Sequence, residues 1–335
     1  ASCVAGVESE SWRMRRSLGD KRSVLEVQAV QGCSAATKVL SQYPLRLMLP
    51  EMRSPTLETP LLCYLLSFGG GLVAEDSVHL GITVGPGCRV VLSSQGMGKV
   101  YKSQSLQGVE KGPSSQHVDC AVASGGFLAH VPEPTTCFRE ARLVQSLRFH
   151  LAPDGTSSLV CADWWTAGRS ARGETWDLSY LRTTTQVFLG DQVVLHEAME
   201  LHGDPPASME EDQPNVAGSL MQRMGPVSIF GFLLMVGPET EAACNHLRET
   251  QKRKTFAQQE HRGQRRAPDP WPVIAVSDVE FQLPPAARSH HDGGGNTKGC
   301  MLRFAACSSS EGYRIVRDAL GPLEHEVLGR LSWKA

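Results

Sequence analysis

Ser77-Val78-His79-Leu80-Gly81-Ile82-Thr83-Val84-Gly85-Pro86-Gly87-Cys88-Arg89-Val90-Val91-Leu92-Ser93-Ser94 is the stretch whose pattern decides the fold. Val78, Leu80, Ile82 and Val84 alternate with polar or small residues, a period of two that puts them on one face of a β-strand. Gly85-Pro86-Gly87 then turns the chain into a second apolar strand, Arg89 to Ser94. The same order returns downstream. Leu143, Leu147, Phe149 and Leu151 share a parity, Pro153-Asp154-Gly155 is a turn, and Ser158 to Trp165 is a further apolar strand. Thr185 to Leu189 and Gln192 to His196 flank Gly190-Asp191, a two-residue loop suited to a type II′ hairpin. Strands this closely spaced leave no room for crossover helices, which argues against a parallel α/β sheet. The expectation is a mainly β fold.

Composition agrees. Glycine (32) and proline (20) are abundant among 335 residues, which favours turns over long helices. A net charge of -2 gives no basic surface for nucleic acid, and the apolar run Val227 to Val236, broken by Ser228 and Gly231, is too short to cross a bilayer. No nucleic-acid or membrane partner is expected. Ten cysteines without a CxxC pair, and no apolar signal-like stretch at the start of the given sequence, suggest reduced thiols and a cytoplasmic setting. Residues 1–38, with Arg13, Arg15, Arg16, Lys21 and Arg22, read as a flexible basic lead-in, and 39–335 as one β-rich domain with flexible insertions near 250–272 and 285–299. Helical signals lie late. Glu239 to Gln259 is one candidate; Ser308 with Glu311 opens another, whose stripe Ile315, Val316, Ala319, Leu320 is expected to end at Gly321-Pro322. A second apolar stripe follows at Leu323, Val327, Leu328 and Leu331.

Familiar catalytic signatures fail. In Gly293 to Gly299 the lysine precedes the last glycine and no hydroxyl residue follows, so it is not a phosphate loop; His196-Glu197 lacks a second histidine at i+4; no GxSxG is present. His290, His291 and Cys300 are weak candidates for a soft divalent ion, because imidazole and thiolate suit nickel or copper. Three clusters carry more. Ser67 to Asp76 packs three glycines before two carboxylates, Val91 to Tyr101 delivers Lys99 and Tyr101 after a flexible turn, and Ala162 to Trp176 combines Arg169 and Arg172 with carboxylates and three tryptophans.

Taken in order, Pro44-Leu45-Arg46, the glycine turn ending in Asp76, Ser93-Ser94-Gln95-Gly96 followed by Lys99 and Tyr101, Pro132-Glu133-Pro134 with Cys137-Phe138, Asp163-Trp164 with Gly168-Arg169, Gly173-Glu174 and Met224-Gly225-Pro226 resemble the urease accessory protein family UreD, or UreH, in its eukaryotic branch. The chain has Glu75-Asp76 where that family usually has Gly-Asp, and Gly98 where a hydroxyl residue is common. The resemblance implies a β-helix-like stack of short strands with few helices, mostly C-terminal. It implies a non-enzymatic maturation factor that binds apo-urease, a helical accessory protein of the UreF type and a nickel-loaded GTPase of the UreG type. It also implies no permanently bound cofactor, with nickel held only in transit. On this reading Asp76, Glu133 and Glu174 are candidates for a nickel path, each with a salt bridge to Arg169, Arg172 or Lys99 as the competing role. Arg46, Lys99, Tyr101, Trp165, Arg169 and Arg172 are candidates for the fold core or a docking face. The competing reading is a polysaccharide-acting hydrolase, with Asp163 beside Trp164 and Trp165 as its seed.

Overall fold

The structure, a computed structural model, describes residues 22–51, 55–56, 58–103, 111–204, 218–260, 271–283 and 296–324. These residues are mainly β, with few helices, mostly towards the C-terminus. In chain order the strands are β1 (Ser23–Val30), β2 (Cys33–Leu40), β3 (Leu45–Met48), β4 (Leu61–Ser67), β5 (Ser77–Val84), β6 (Arg89–Ser94), β7 (Gly98–Val100), β8 (Ser114–Val122) and β9 (Phe127–His130). They continue with β10 (Thr135–Cys137), β11 (Arg142–Leu151), β12 (Ser158–Thr166), β13 (Tyr180–Leu189), β14 (Gln192–His202), β15 (Ile229–Val236), β16 (Val273–Gln282) and β17 (Asn296–Ala306). The helices are α1 (Leu220–Met224), α2 (Glu241–Glu260) and α3 (Ser309–Glu324).

Two sheets result. One runs β14-β13-β11-β8-β5-β1-β2 and the other β16-β17-β15-β12-β9-β6-β4-β3, with β10 bridging β12 and β7. The strands on either side of Gly85-Pro86-Gly87 do not pair: β5 joins the first sheet and β6 the second. That turn is a corner between layers, and the chain repeats it from β4 to β13, alternating sheets. Each strand therefore meets the strand one circuit later in parallel: β5 with β8, β8 with β11 and β11 with β13 in one sheet, β4 with β6, β6 with β9 and β9 with β12 in the other. Among the described residues no crossover helix lies between these strands, as the spacing requires, yet they pair in parallel. A parallel pair needs a crossover, and strands of the opposite sheet supply it in place of helices. The Gly190-Asp191 hairpin forms as expected, joining β13 to β14 antiparallel with Gly190 at φ 60°.

Period-two burial packs the sheets face to face. Leu80, Ile82 and Val84 of β5 and Leu147 and Phe149 of β11 share one core with Val90, Leu92, Leu159 and Cys161 of the second sheet. The second sheet's outer face is covered too. Val160, Ala162 and Trp164 of β12 pack with Ala243 and Leu247 of α2 and Ile315, Val316, Ala319 and Leu320 of α3. Covered on both sides, β12 is buried along all nine residues, and so reads as a continuous apolar run and not an alternating one.

Three boundaries depart from the sequence reading. Ser23–Val30 and Cys33–Leu40 form a hairpin in the first sheet, so residues 23–38 are not lead-in. The helix opened by Ser308, whose Oγ accepts from the Glu311 N–H at 3.3 Å, continues through Gly321-Pro322 to Glu324, and Leu323 is buried. Val327, Leu328 and Leu331 lie outside the described residues. Residues 296–299 belong to β17, not to an insertion, and α2 occupies 250–260.

Gly231 of β15 lies against β12, where an added Cβ would stand 2.4 Å from Trp164 Cβ and 2.5 Å from the Asp163 carbonyl oxygen. Gly231→Ala is expected to destabilise the fold by about 2 kcal/mol through overpacking, read as a lowered urea midpoint; an unchanged midpoint would show that this contact yields freely.

Candidate functional site

The parity of β11 puts Gln145 in the row of Leu143, Leu147 and Phe149, facing the second sheet; in β12 it puts Asp163 in the row of Leu159, Cys161 and Trp165, facing the first. These polar side chains meet between the layers. Gln145 Nε2 donates to Asp163 Oδ1 at 3.0 Å, and Thr183 Oγ1 of β13 donates to Oδ2 at 2.9 Å. The Gln145 amide also reaches Thr183 Oγ1 at 3.2 Å. Burial raises the Asp163 pKa to about 6 from its ordinary 3.8, and the two hydrogen bonds oppose that rise. No cation neutralises it in this network, so the carboxylate is held by neutral donors alone.

His130 ends β9 on the same interior side, its ring 6.0 Å from that of Phe149. It is buried, and neither ring nitrogen has a hydrogen-bond partner. Burial lowers its pKa to about 4, which keeps it neutral at pH 7. An unpaired buried polar group costs about 1–3 kcal/mol, so this imidazole is a costly feature of the interior.

Two cavities open from this seam, and Asp163 lines both. The larger, about 470 Å³, is walled by Trp165, Thr183, Thr185 and Phe230 and rimmed by Glu197 and Arg303. Arg303 Nη2 of β17 donates to Glu197 Oε2 of β14 at 2.7 Å, an ion pair that spans the two sheets. The smaller, about 100 Å³, is lined by His130, Gln145, Glu133, Ser94 and Lys99 as well as Asp163. Spread carboxylate, amide, hydroxyl and imidazole groups suit hydrated cargo that must leave again. Among the described residues no group of three or more His, Cys, Asp or Glu could hold a metal ion.

The carboxylates expected on a path are not brought together. Asp76 closes the glycine turn, its Oδ2 accepting from the Val73 N–H at 2.9 Å. Glu133 lines the small cavity and accepts a hydrogen bond from the Tyr313 hydroxyl, which burial and that carboxylate together push to a higher pKa. Glu174 is buried and forked by Arg169, whose Nε donates at 2.8 Å; the guanidinium holds Glu174 below the usual carboxylate range. Arg169 also stands 4.2 Å over the Phe138 ring, and Tyr101 meets that ring edge-on and donates to the Gly69 carbonyl at 3.3 Å. Arg46, Lys99 and Arg172 are exposed, and Trp165 is in the inter-sheet core.

Cys300 is buried in β17 beside Cys244, while His290 and His291 lie outside the described residues. The two tryptophans next to Asp163 part: Trp164 points to the opposite face of β12 and meets Tyr313 edge-on on the helix side, while Trp165 shares the Asp163 row and walls the larger cavity, so one of the two expected aromatics stands beside the carboxylate. Gln145 and His130 were missed. Gln145 had a signal, a polar residue in the apolar row from Leu143 to Leu151; His130 in Phe127-Leu128-Ala129-His130 had none that sets it apart from a strand end.

The raised pKa fixes a pH dependence. Between pH 4 and 6 native Asp163 binds a proton that the unfolded chain releases, so rising pH lowers stability across this window, by about 3 kcal/mol in total, and no further above it. Asp163→Asn lacks this loss. The stability gap between variant and wild type, from urea unfolding, is expected to grow from pH 4 to 6 and then stay level; a gap independent of pH would contradict the buried carboxylate.

The UreD urease accessory protein family matches residues 21–333. The chain is 29% identical to urease accessory protein D of Arabidopsis thaliana over 309 residues, 92% of this chain and 97% of that protein. It is 33% identical to urease accessory protein UreD of Sorangium cellulosum over 218 residues, 65% of this chain and 62% of that one. Urease accessory protein 4 of Cryptococcus neoformans is 27% identical over 248 residues, 68% of this chain and 73% of that protein. A match over nearly the whole chain places it in the UreD urease accessory protein family.

Proposed function

We propose that this chain is a urease maturation factor without turnover of its own, a scaffold that lets nickel pass, as cargo, through its inter-sheet interior towards the urease active site. The observation that carries this reading is the shared position of Asp163 on two cavities, with Gln145, Thr183 and His130 around it. Nickel(II) is borderline in softness and binds carboxylate, water and imidazole without being trapped as it would be in a closed thiolate cage. The alternation of strands between two sheets supports a β-helix-like scaffold, because each circuit adds a length of enclosed interior.

Of the three path candidates, Glu133 lines the smaller cavity, where it accepts from Tyr313; Asp76 and Glu174 are engaged by the turn and by Arg169. The exposed Arg46, Lys99 and Arg172 are available to the proposed partners: apo-urease, a UreF-type helical protein and, through it, a UreG-type GTPase. The setting is the cytoplasm. Among the described residues no helix is long and apolar enough to cross a membrane.

Coexpression of apo-urease with its other maturation factors at limiting nickel, with and without this chain, tests the reading. Urease activity is expected to depend on the chain, and Glu133→Gln is expected to lower it while the partners still copurify. Full activation without the chain would overturn the function; full activation by Glu133→Gln would remove only that residue from the path.

A further inference from the structure

Away from the inter-sheet interior, Cys244 and Cys300 meet where α2 covers the second sheet. Their sulfur atoms are 3.1 Å apart, with the Cys300 thiol donating to Cys244. Both are buried. Cys244 lies in the first turns of α2, which begins at Glu241, and its Sγ is 3.9 Å from Thr240 Oγ1 and 3.8 Å from the Met235 carbonyl oxygen. Arg248, one turn further on, is fixed beside the pair: its Nε donates to Asp278 Oδ1 at 2.6 Å and its Nη2 to the Gly299 carbonyl at 3.3 Å. A helix N-terminus and a pinned guanidinium both favour a thiolate. Their effect is directional. The thiol hydrogen bond from Cys300 lowers the pKa of Cys244, while Cys300 itself is raised. The buried Cys63 and Cys137, which lack such surroundings, are pushed up to about 12.

We propose that Cys244 and Cys300 are a reversible redox pair, oxidised by hydrogen peroxide to a disulfide that staples α2 to β17. The Cys244 thiolate attacks one peroxide oxygen, the O–O bond breaks, and a sulfenic acid forms as the departing hydroxide takes up a proton to become water. The Cys300 sulfur then attacks the sulfenic sulfur; its thiol proton and the sulfenic hydroxyl leave as a second water. The two thiols lose two electrons, and one peroxide is reduced to two waters. Forming the bond requires the sulfur atoms to close from 3.1 Å to about 2.05 Å. The linkage encloses residues 244–300, with β16 inside it. It fixes the helix layer to β17, the strand that carries Arg303 at the rim of the larger cavity.

The full-length chain is treated with hydrogen peroxide under native conditions, quenched with N-ethylmaleimide in denaturant, digested and analysed by mass spectrometry. A background variant with Cys3→Ser, Cys33→Ser and Cys307→Ser removes the two described cysteines that are not buried and Cys3, which lies outside the described residues. Both proteins are expected to yield a peptide linking Cys244 to Cys300, 2 Da lighter than the two thiol peptides together and reversed by dithiothreitol, with a raised thermal midpoint. Cys300→Ser is expected to leave a Cys244 sulfenic acid trapped by dimedone. The proposal fails if both cysteines carry N-ethylmaleimide at peroxide doses that oxidise Cys33 or Cys307 in the wild type, or if the link forms only after unfolding.

Discussion

A carboxylate placed between two sheets with only neutral hydrogen-bond donors around it is the constraint on which the rest of this structure turns. Taking Asp163 out of water is unfavourable unless Gln145 and Thr183 arrive together. They come from β11 and β13 of the opposite sheet, so the network exists only when both sheets are in register. A one-residue slip in any of the three strands would turn its polar member to the outer face and leave the others unpaired. The polar seam therefore specifies the relative placement of the layers, while the apolar rows on either side supply the burial that stabilises them.

The helical layer supports the same strand from behind. Trp164, next to Asp163, faces α3 and donates to the Pro132 carbonyl through its indole N–H at 2.8 Å, so both neighbouring positions of β12 are fixed by hydrogen bonds on opposite faces. Tyr313 of α3 reaches Glu133 at the small cavity. Helix docking and cavity lining thus share residues, which makes the C-terminal helix part of the interior and not only a cover.

Much of this was legible in the sequence. The alternation Val78, Leu80, Ile82, Val84 marks a strand with one buried face, and the stripe Ile315, Val316, Ala319, Leu320 marks a helix; both periods survive because burial enforces them. The partners of those strands were not legible. Gly85-Pro86-Gly87 reads the same whether it closes a hairpin or turns a corner between sheets, since the difference lies in which distant strands β5 and β6 pair with and not in the turn's own chemistry. The site was hidden for a related reason. Asp163 stands beside two tryptophans in sequence, yet strand parity sends Trp164 away and brings Gln145 and Thr183, from elsewhere in the chain, into contact. Pro322 reads as a helix stop, but the helix runs through it because Leu320 before it and Leu323 after it are both buried.

The account makes the inter-sheet space itself the working part, and filling that space tests it most directly. Thr185 of β13 lines the larger cavity, and its buried hydroxyl has no hydrogen-bond partner, so Thr185→Phe removes an unpaired polar group and puts a ring into the cavity. Urease activation at limiting nickel, measured beside copurification of the partner proteins, is the readout. Loss of activation from a complex that still assembles is the predicted result; wild-type activation with the cavity filled would contradict a route between the sheets.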